Sequence, residues 1–140
     1  MDISFCVLNV ANRQLYFSGA NRPLVVIGKS EIREIKGDAQ PVGFQDNPKP
    51  FTNHSIQLEK GDMIYLFSDG YSDQFGGPEG KKFKFSRFRE LLISIASKPL
   101  SEQKEIIHHT FKEWISWPSA TGEVHEVEQL DDICIMGVRV

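Results

Sequence analysis

Met63-Ile64-Tyr65-Leu66-Phe67-Ser68-Asp69-Gly70, preceded by Gly61-Asp62 and followed by Tyr71-Ser72-Asp73, is the stretch around which the chain is organised. Five bulky apolar residues in a row, between Gly-Asp and Ser-Asp-Gly, predict a strand buried on both faces that stops at a tight turn. Asp69 then stands at the end of a stiff element, exposed at its rim, where metal-ligating and acid/base groups are commonly mounted. A plainer reading is also open: Ser-Asp-Gly only makes the turn, with Asp bonding its own backbone and Gly70 supplying a positive φ.

Working outward, 140 residues are enough for one domain with a real core. The chain is 40% hydrophobic and 25% charged, an ordinary globular composition. A formal net charge of −3 argues against a protein built to coat nucleic acid or anionic membrane. No apolar run approaches the roughly 20 residues of a membrane helix, and the N-terminus lacks the regions of a signal peptide. A cytoplasmic setting, with no membrane partner for this segment, is the default expectation. Cys6 and Cys134 lie far apart in apolar runs with no Cys-x-x-Cys, so both are expected to be buried free thiols.

Ahead of the central stretch the pattern is strand upon strand. Ile3–Val10 and Gln14–Ser18 flank Ala11-Asn12-Arg13 as a hairpin. Gly19-Ala20-Asn21-Arg22-Pro23 interrupts, Leu24–Gly28 resumes, Gly28-Lys29-Ser30 turns, and Glu31–Ile35 alternates like an exposed strand. These segments predict an antiparallel meander. Residues 36–53 carry three prolines and two glycines and are expected to form a loop. His54–Leu58 is a further strand. Behind the central stretch, Gln74–Gly80 is expected to be a flexible flap.

Helical periodicity follows. Ser86 is the expected N-cap of a helix over 87–96, with Phe88, Leu91, Leu92 and Ile95 on one face. Ser101 opens a second helix carrying Ile106, Ile107, Phe111, Trp114 and Ile115, ended by Pro118 and joined to the first through Pro99-Leu100. Residues 119–130 are expected to be an acidic loop. Asp131-Asp132 leads into Ile133–Val140, a strongly apolar final strand. Strands, a helical pair and a returning strand predict an α+β fold with the helices packed on the sheet.

Two acidic sites border the most apolar strands. If those strands pair antiparallel, the end of one and the start of the other share an edge, and Asp69 converges with Asp131-Asp132. Hard oxygen ligands without histidine or thiolate suit Mg²⁺ or Mn²⁺. The alternative for Asp131-Asp132 is a solvated strand cap.

Leu66-Phe67-Ser68-Asp69-Gly70-Tyr71-Ser72-Asp73, followed by Gln129-Leu130-Asp131-Asp132-Ile133-Cys134-Ile135, resembles the two C-terminal metal motifs of the PPM-type metal-dependent serine/threonine phosphatases. The branch resembled is the stage II sporulation protein E-like one. Ser18-Gly19-Ala20-Asn21-Arg22-Pro23-Leu24 and Gln40-Pro41-Val42-Gly43 add supporting matches, so the likeness runs along the whole chain. The resemblance implies an αββα sandwich, a pair of Mn²⁺ or Mg²⁺ ions in the complete domain, and hydrolysis of phosphoserine or phosphothreonine by metal-activated water. It implies Asp69 and Asp131 as metal ligands, with Gly70 and Asp132 supporting them from behind. It also implies a phosphorylated, anti-anti-sigma-like regulatory protein as substrate in bacterial signalling.

One departure stands against the matches. The family's first metal motif, an Asp-Gly on an earlier strand, has no counterpart here, and Asp2 lies before its strand. The expectation is therefore a C-terminal portion, residues 1–140, of a single phosphatase domain, inactive alone. Apolar surface left uncovered would favour self-association, at simplest a dimer.

Lys81-Lys82-Phe83-Lys84-Phe85-Ser86-Arg87-Phe88-Arg89 interleaves five cations with three aromatics, which could bind single-stranded RNA. The commoner outcome buries the phenylalanines and leaves the cations wet, where they could meet an acidic phosphoprotein; nucleic acid is not expected as the partner. His108 and His109 point about 100° apart on a helix and do not chelate. A non-catalytic partner-binding module is the other class of protein these residues could serve.

Overall fold

Short strands with alternating burial fall on either side of one apolar filling. The computed structural model describes residues 1–29, 31–44, 46–119 and 121–140, so Ser30 of the expected Gly28-Lys29-Ser30 turn, Gln45 of the 36–53 loop and Ala120 of the 119–130 loop lie outside the described residues. The chain divides into two compact units, Met1–Phe67 with Ile135–Val140, and Ser68–Cys134.

The first unit holds two antiparallel sheets. β1 (Ile3–Asn9) and β2 (Gln14–Ala20) form the expected hairpin, closed by Asn9, whose Oδ1 accepts from the Ala11 N–H, and by Arg13 at φ 55°. β5 (His54–Gln57) pairs with β2 to complete the order β1-β2-β5. The other sheet runs β11 (Ile135–Arg139), β6 (Met63–Phe67), β3 (Leu24–Ile27), β4 (Ile32–Ile35).

The meander is thus not one sheet. Gly19–Pro23 is where the chain changes sheets: Asn21 sits at φ 57°, and a Cβ on Gly19 would lie 2.4 Å from the Arg22 carbonyl oxygen. A corner that tight leaves the ladder and starts another. Leu15, Phe17 and Ile56 from one sheet pack with Leu24, Val26 and Ile64 from the other. Full burial of such a side chain is worth about 1.5–3 kcal/mol, so this filling is the unit's main stabilising term.

β3 and β6 are buried along nearly their whole length, as the central apolar run predicts. β11 departs from expectation. It pairs antiparallel with β6, Ile135 opposite Phe67, but begins two residues late and lies at the sheet edge, with Met136, Gly137 and Arg139 exposed. The outer face of the β1-β2-β5 sheet is also open: Phe5, Val7 and Tyr16 face solvent.

The second unit is built around aromatic rings. α1 (Gly70–Asp73) is one turn, α2 spans Phe85–Ile95 and α3 Leu100–Ile115. Tyr71 lies 4.7 Å from Phe88, 5.0 Å from Phe83 and 5.3 Å from Phe111, ring centre to ring centre, and donates its hydroxyl to the Ile107 carbonyl at 2.9 Å. Burial pushes the Tyr71 phenol above its ordinary range. Phe88, Leu92 and Ile95 are buried as the helical spacing predicts.

Several boundaries differ. Ser86 is not the N-cap of α2. Lys84 holds that position, and Ser86 falls within the first turn. Pro118 does not end α3; the helix stops at Ile115 and β9 (Ser116–Pro118) pairs with β10 (Val124–Glu126), so part of the 119–130 loop is a hairpin. The expected flap is a two-stranded ribbon, β7 (Phe75–Gly76) with β8 (Lys81–Lys82). The cysteines are free, but Cys6 is only half-buried and Cys134 is exposed, because Cys134 precedes β11 rather than lying within a covered strand. No helix among the described residues is long and apolar enough to cross a membrane.

Candidate metal centre

The chain leaves β6 at Phe67 and enters Ser68-Asp69-Gly70, whose partner segment is Asp132-Ile133-Cys134. Ser68 donates its backbone N–H to the Cys134 carbonyl (2.9 Å) and its hydroxyl to the Asp132 carbonyl (2.9 Å), while the Cys134 N–H donates to Ser68 Oγ (2.9 Å). One hydroxyl therefore serves as donor and acceptor across the two segments. Gly70 does not have a positive φ; it opens α1 and is small because a Cβ there would lie 2.5 Å from the Asp132 carbonyl oxygen. The backbones on which Asp69 and Asp132 sit are thus in contact, as the paired-strand argument requires.

A second clasp lies upstream of Asp131. Gln74, 1% exposed, donates Nε2 to the carbonyls of Phe75 and Glu128 (both 2.9 Å), and its Oε1 accepts from the Leu130 N–H (3.0 Å). Its own carbonyl accepts from Trp114 Nε1 (3.1 Å) and the Phe83 N–H (2.9 Å). Ser68 and Gln74 flank Asp69 in sequence and hold the chain on either side of Asp131. Sequence reasoning missed both, reading Ser68 as a turn residue and Gln74 as part of the flap. Nothing in a lone glutamine between Asp73 and Phe75 marks it as buried.

Asp69 is half-buried and its side chain makes no capping bond to α1; its carbonyl accepts from the Asp73 N–H (2.8 Å) and Ser72 Oγ (3.0 Å). Asp131 and Asp132 are exposed. Asp131 Oδ1 accepts from the Asp132 N–H (2.7 Å), and Gln129 Nε2 donates to the Asp131 carbonyl (2.8 Å), a local turn that fixes the direction of the backbone. Asp2 belongs elsewhere, bonded to Asn21 (2.9 Å) and Arg22 (3.2 Å).

The donors here are carboxylate and carbonyl oxygens with no histidine, a hard set that fits Mg²⁺ or Mn²⁺, ions that retain waters and need only one or two carboxylates each. Among the described residues no three His, Cys, Asp or Glu side chains gather to hold a metal. The agreement with such ions is one of donor chemistry, oxygen ligands carried on two segments whose backbones touch.

A mixed α+β chain with antiparallel sheets matches the fold of solved PP2C phosphatase domains. The sequence model of the family Stage II sporulation protein E matches residues 1–140, and the chain belongs to that family. Among solved structures it is similar to the SiaA-PP2C domain of Pseudomonas aeruginosa, 33% identical with a TM-score of 0.81, over 99% of this chain and 51% of that one. It also shares its fold with the SpoIIE phosphatase domain of Bacillus subtilis. With a fragment of the regulatory domain, that structure gives 14% identity and TM-score 0.68, covering 99% of this chain and 37% of that one. The Mn-presoaked form gives 15% identity and TM-score 0.63, covering 100% and 56%. The chain spans about half the length of these structures, or less. No curated protein resembles the chain closely enough to count as a match.

Proposed function

We propose that these residues form the C-terminal, metal-binding portion of a divalent-metal-dependent phosphoserine/phosphothreonine phosphatase domain. The observation that carries this reading is the pair of clasps, Ser68 to Asp132 and Gln74 to Leu130, which brackets Asp131 against the segment bearing Asp69. Family membership supports the reaction class.

In this reading Asp69 and Asp131 hold the ion, either Mn²⁺ or Mg²⁺, and Gly70 and Asp132 fix them by close backbone contact. A bound ion supplies Lewis acidity, lowering the pKa of water and neutralising phosphate charge. The clasps hold the backbones that carry the carboxylates before an ion arrives, which lowers the reorganisation that binding requires. With two ligating carboxylates, the 140 residues alone bind metal weakly and turn over little. The substrate is a phosphorylated regulatory protein of the anti-anti-sigma kind, in bacterial signalling, met in the cytoplasm.

The test is hydrolysis of an aryl phosphate with Mn²⁺ by a chain that carries these residues within a complete domain. Asp69→Ala and Asp131→Ala should each abolish turnover. Full activity in both variants would end the proposal, and absence of hydrolysis in the unsubstituted domain, with a saturable protein partner, would favour a non-catalytic module.

A further inference from the structure

We propose that the groove beside the β7–β8 ribbon is a docking site for an acidic peptide segment of a protein partner. The groove encloses about 440 Å³ and is lined by Lys81, Lys82, Lys84, Phe83, Arg87 and Trp114. Among the described lining residues the one carboxylate is Glu79, which is paired with Lys81, and Lys82 pairs with Asp73 at 3.0 Å. The excess of cations stands out in a chain whose net charge is −3.

Arg87 is the best-organised of these groups. Its guanidinium carbon lies 4.6 Å from the centre of the Trp114 ring and 4.9 Å from that of Phe83, so one face of the fork rests on aromatic carbon. Stacking of this kind holds the planar donors in place, and a carboxylate is the partner that accepts two of them in parallel. Lys84 has φ 72° and ψ 145°, a conformation adopted almost only by glycine, and it nevertheless carries a long cationic side chain at the groove.

The same geometry argues against single-stranded RNA, which the sequence of this stretch could suggest. Base stacking needs open aromatic faces. Phe83 is buried, Trp114 is covered by Arg87 and meets Phe83 edge-on at 5.3 Å, and a Cβ on Gly77 would lie 2.7 Å from the indole. What remains for a ligand is cationic hydrogen-bond donors, which suit carboxylates displayed on an extended segment.

The experiment titrates the full chain, in EDTA, into a fluorescein-labelled peptide of alternating glutamate and serine and follows anisotropy. Saturable binding is expected, weakened by added salt and weakened about tenfold or more by Lys84→Gly and by Lys81→Gln with Lys82→Gln. Lys84→Gly removes a charge where glycine suits the backbone, so unfolding should occur no earlier than in the parent while binding falls. Lys104→Gln, on the exposed side of α3, should leave the affinity unchanged. No binding, equal binding by the groove variants, or tighter binding of poly-uridine than of the peptide would each overturn the proposal. Because metal is absent from the assay, these outcomes are independent of whether the domain hydrolyses phosphate.

Discussion

Replacing Gln74 by leucine keeps the side-chain volume and deletes the amide. Three hydrogen bonds go with it: two from Nε2 to the Phe75 and Glu128 carbonyls and one from the Leu130 N–H to Oε1. A neutral intramolecular bond contributes about 1 kcal/mol net, so the loss is roughly 3 kcal/mol. Glu128 and Leu130 are exposed, and water can satisfy their freed backbone groups, which keeps the figure from rising further. With a urea slope of about 2 kcal/mol per molar, the midpoint should fall by about 1.5 M, read by tryptophan fluorescence. Asp131, one residue beyond Leu130, loses its upstream anchor, and Mn²⁺ binding followed by electron paramagnetic resonance should weaken about tenfold or more in a complete domain. Gln74→Glu retains an acceptor for Leu130 but sets a carboxylate oxygen against two carbonyls, so it should be no better than leucine. A leucine variant within about 0.5 kcal/mol of the parent, binding Mn²⁺ equally well, would refute the idea that this side chain positions the acidic rim.

Gly70→Ala should destabilise by about 1–3 kcal/mol, since the added carbon meets the Asp132 carbonyl and one backbone must move; thermal unfolding measures it. Iodoacetamide at neutral pH should label exposed Cys134 well before Cys6, whose thiol burial pushes up to about 11; peptide mass mapping across pH reads the order. Asp38 is held below the usual carboxylate range by hydrogen bonds from the Thr52 N–H (2.7 Å) and hydroxyl (2.9 Å). Its folded pKa is depressed, so its contribution is present above the unfolded pKa and is lost as pH falls through the folded value. Asp38→Asn should therefore flatten the acid limb of the stability curve, as followed by circular dichroism.

Elements whose identity rests on local pattern were legible from the sequence. Met63–Phe67 is a buried strand, Phe88, Leu92 and Ile95 form one helical face, and residues 3–20 make a hairpin. Features set by distant partners were not. A run such as Ile133–Val138 announces apolarity, yet only the presence of β6 on one side decides that β11 is an edge strand with Met136 exposed. The division into two sheets hangs on the corner at Gly19, where the constraint is a carbonyl three residues away rather than a turn signature. At the candidate site, Asp69 and Asp131-Asp132 could be named as candidates because each borders a strongly apolar run. The side chains that tie them together could not, because hydroxyl and amide groups such as Ser68 and Gln74 look the same in a sequence whether they face water or a buried carbonyl.

The open side of the β1-β2-β5 sheet matters to anyone handling the protein. Phe5, Val7 and Tyr16 keep 60%, 50% and 42% of their surface exposed, so polar replacements there forgo less apolar burial than replacements in the core. The same three side chains are what one molecule would offer another at high concentration. Substituting Phe5 and Val7 by lysine and glutamate is thus a route to a better-behaved sample in which Leu15 and Phe17, pointing the opposite way from the same ribbon, are left undisturbed.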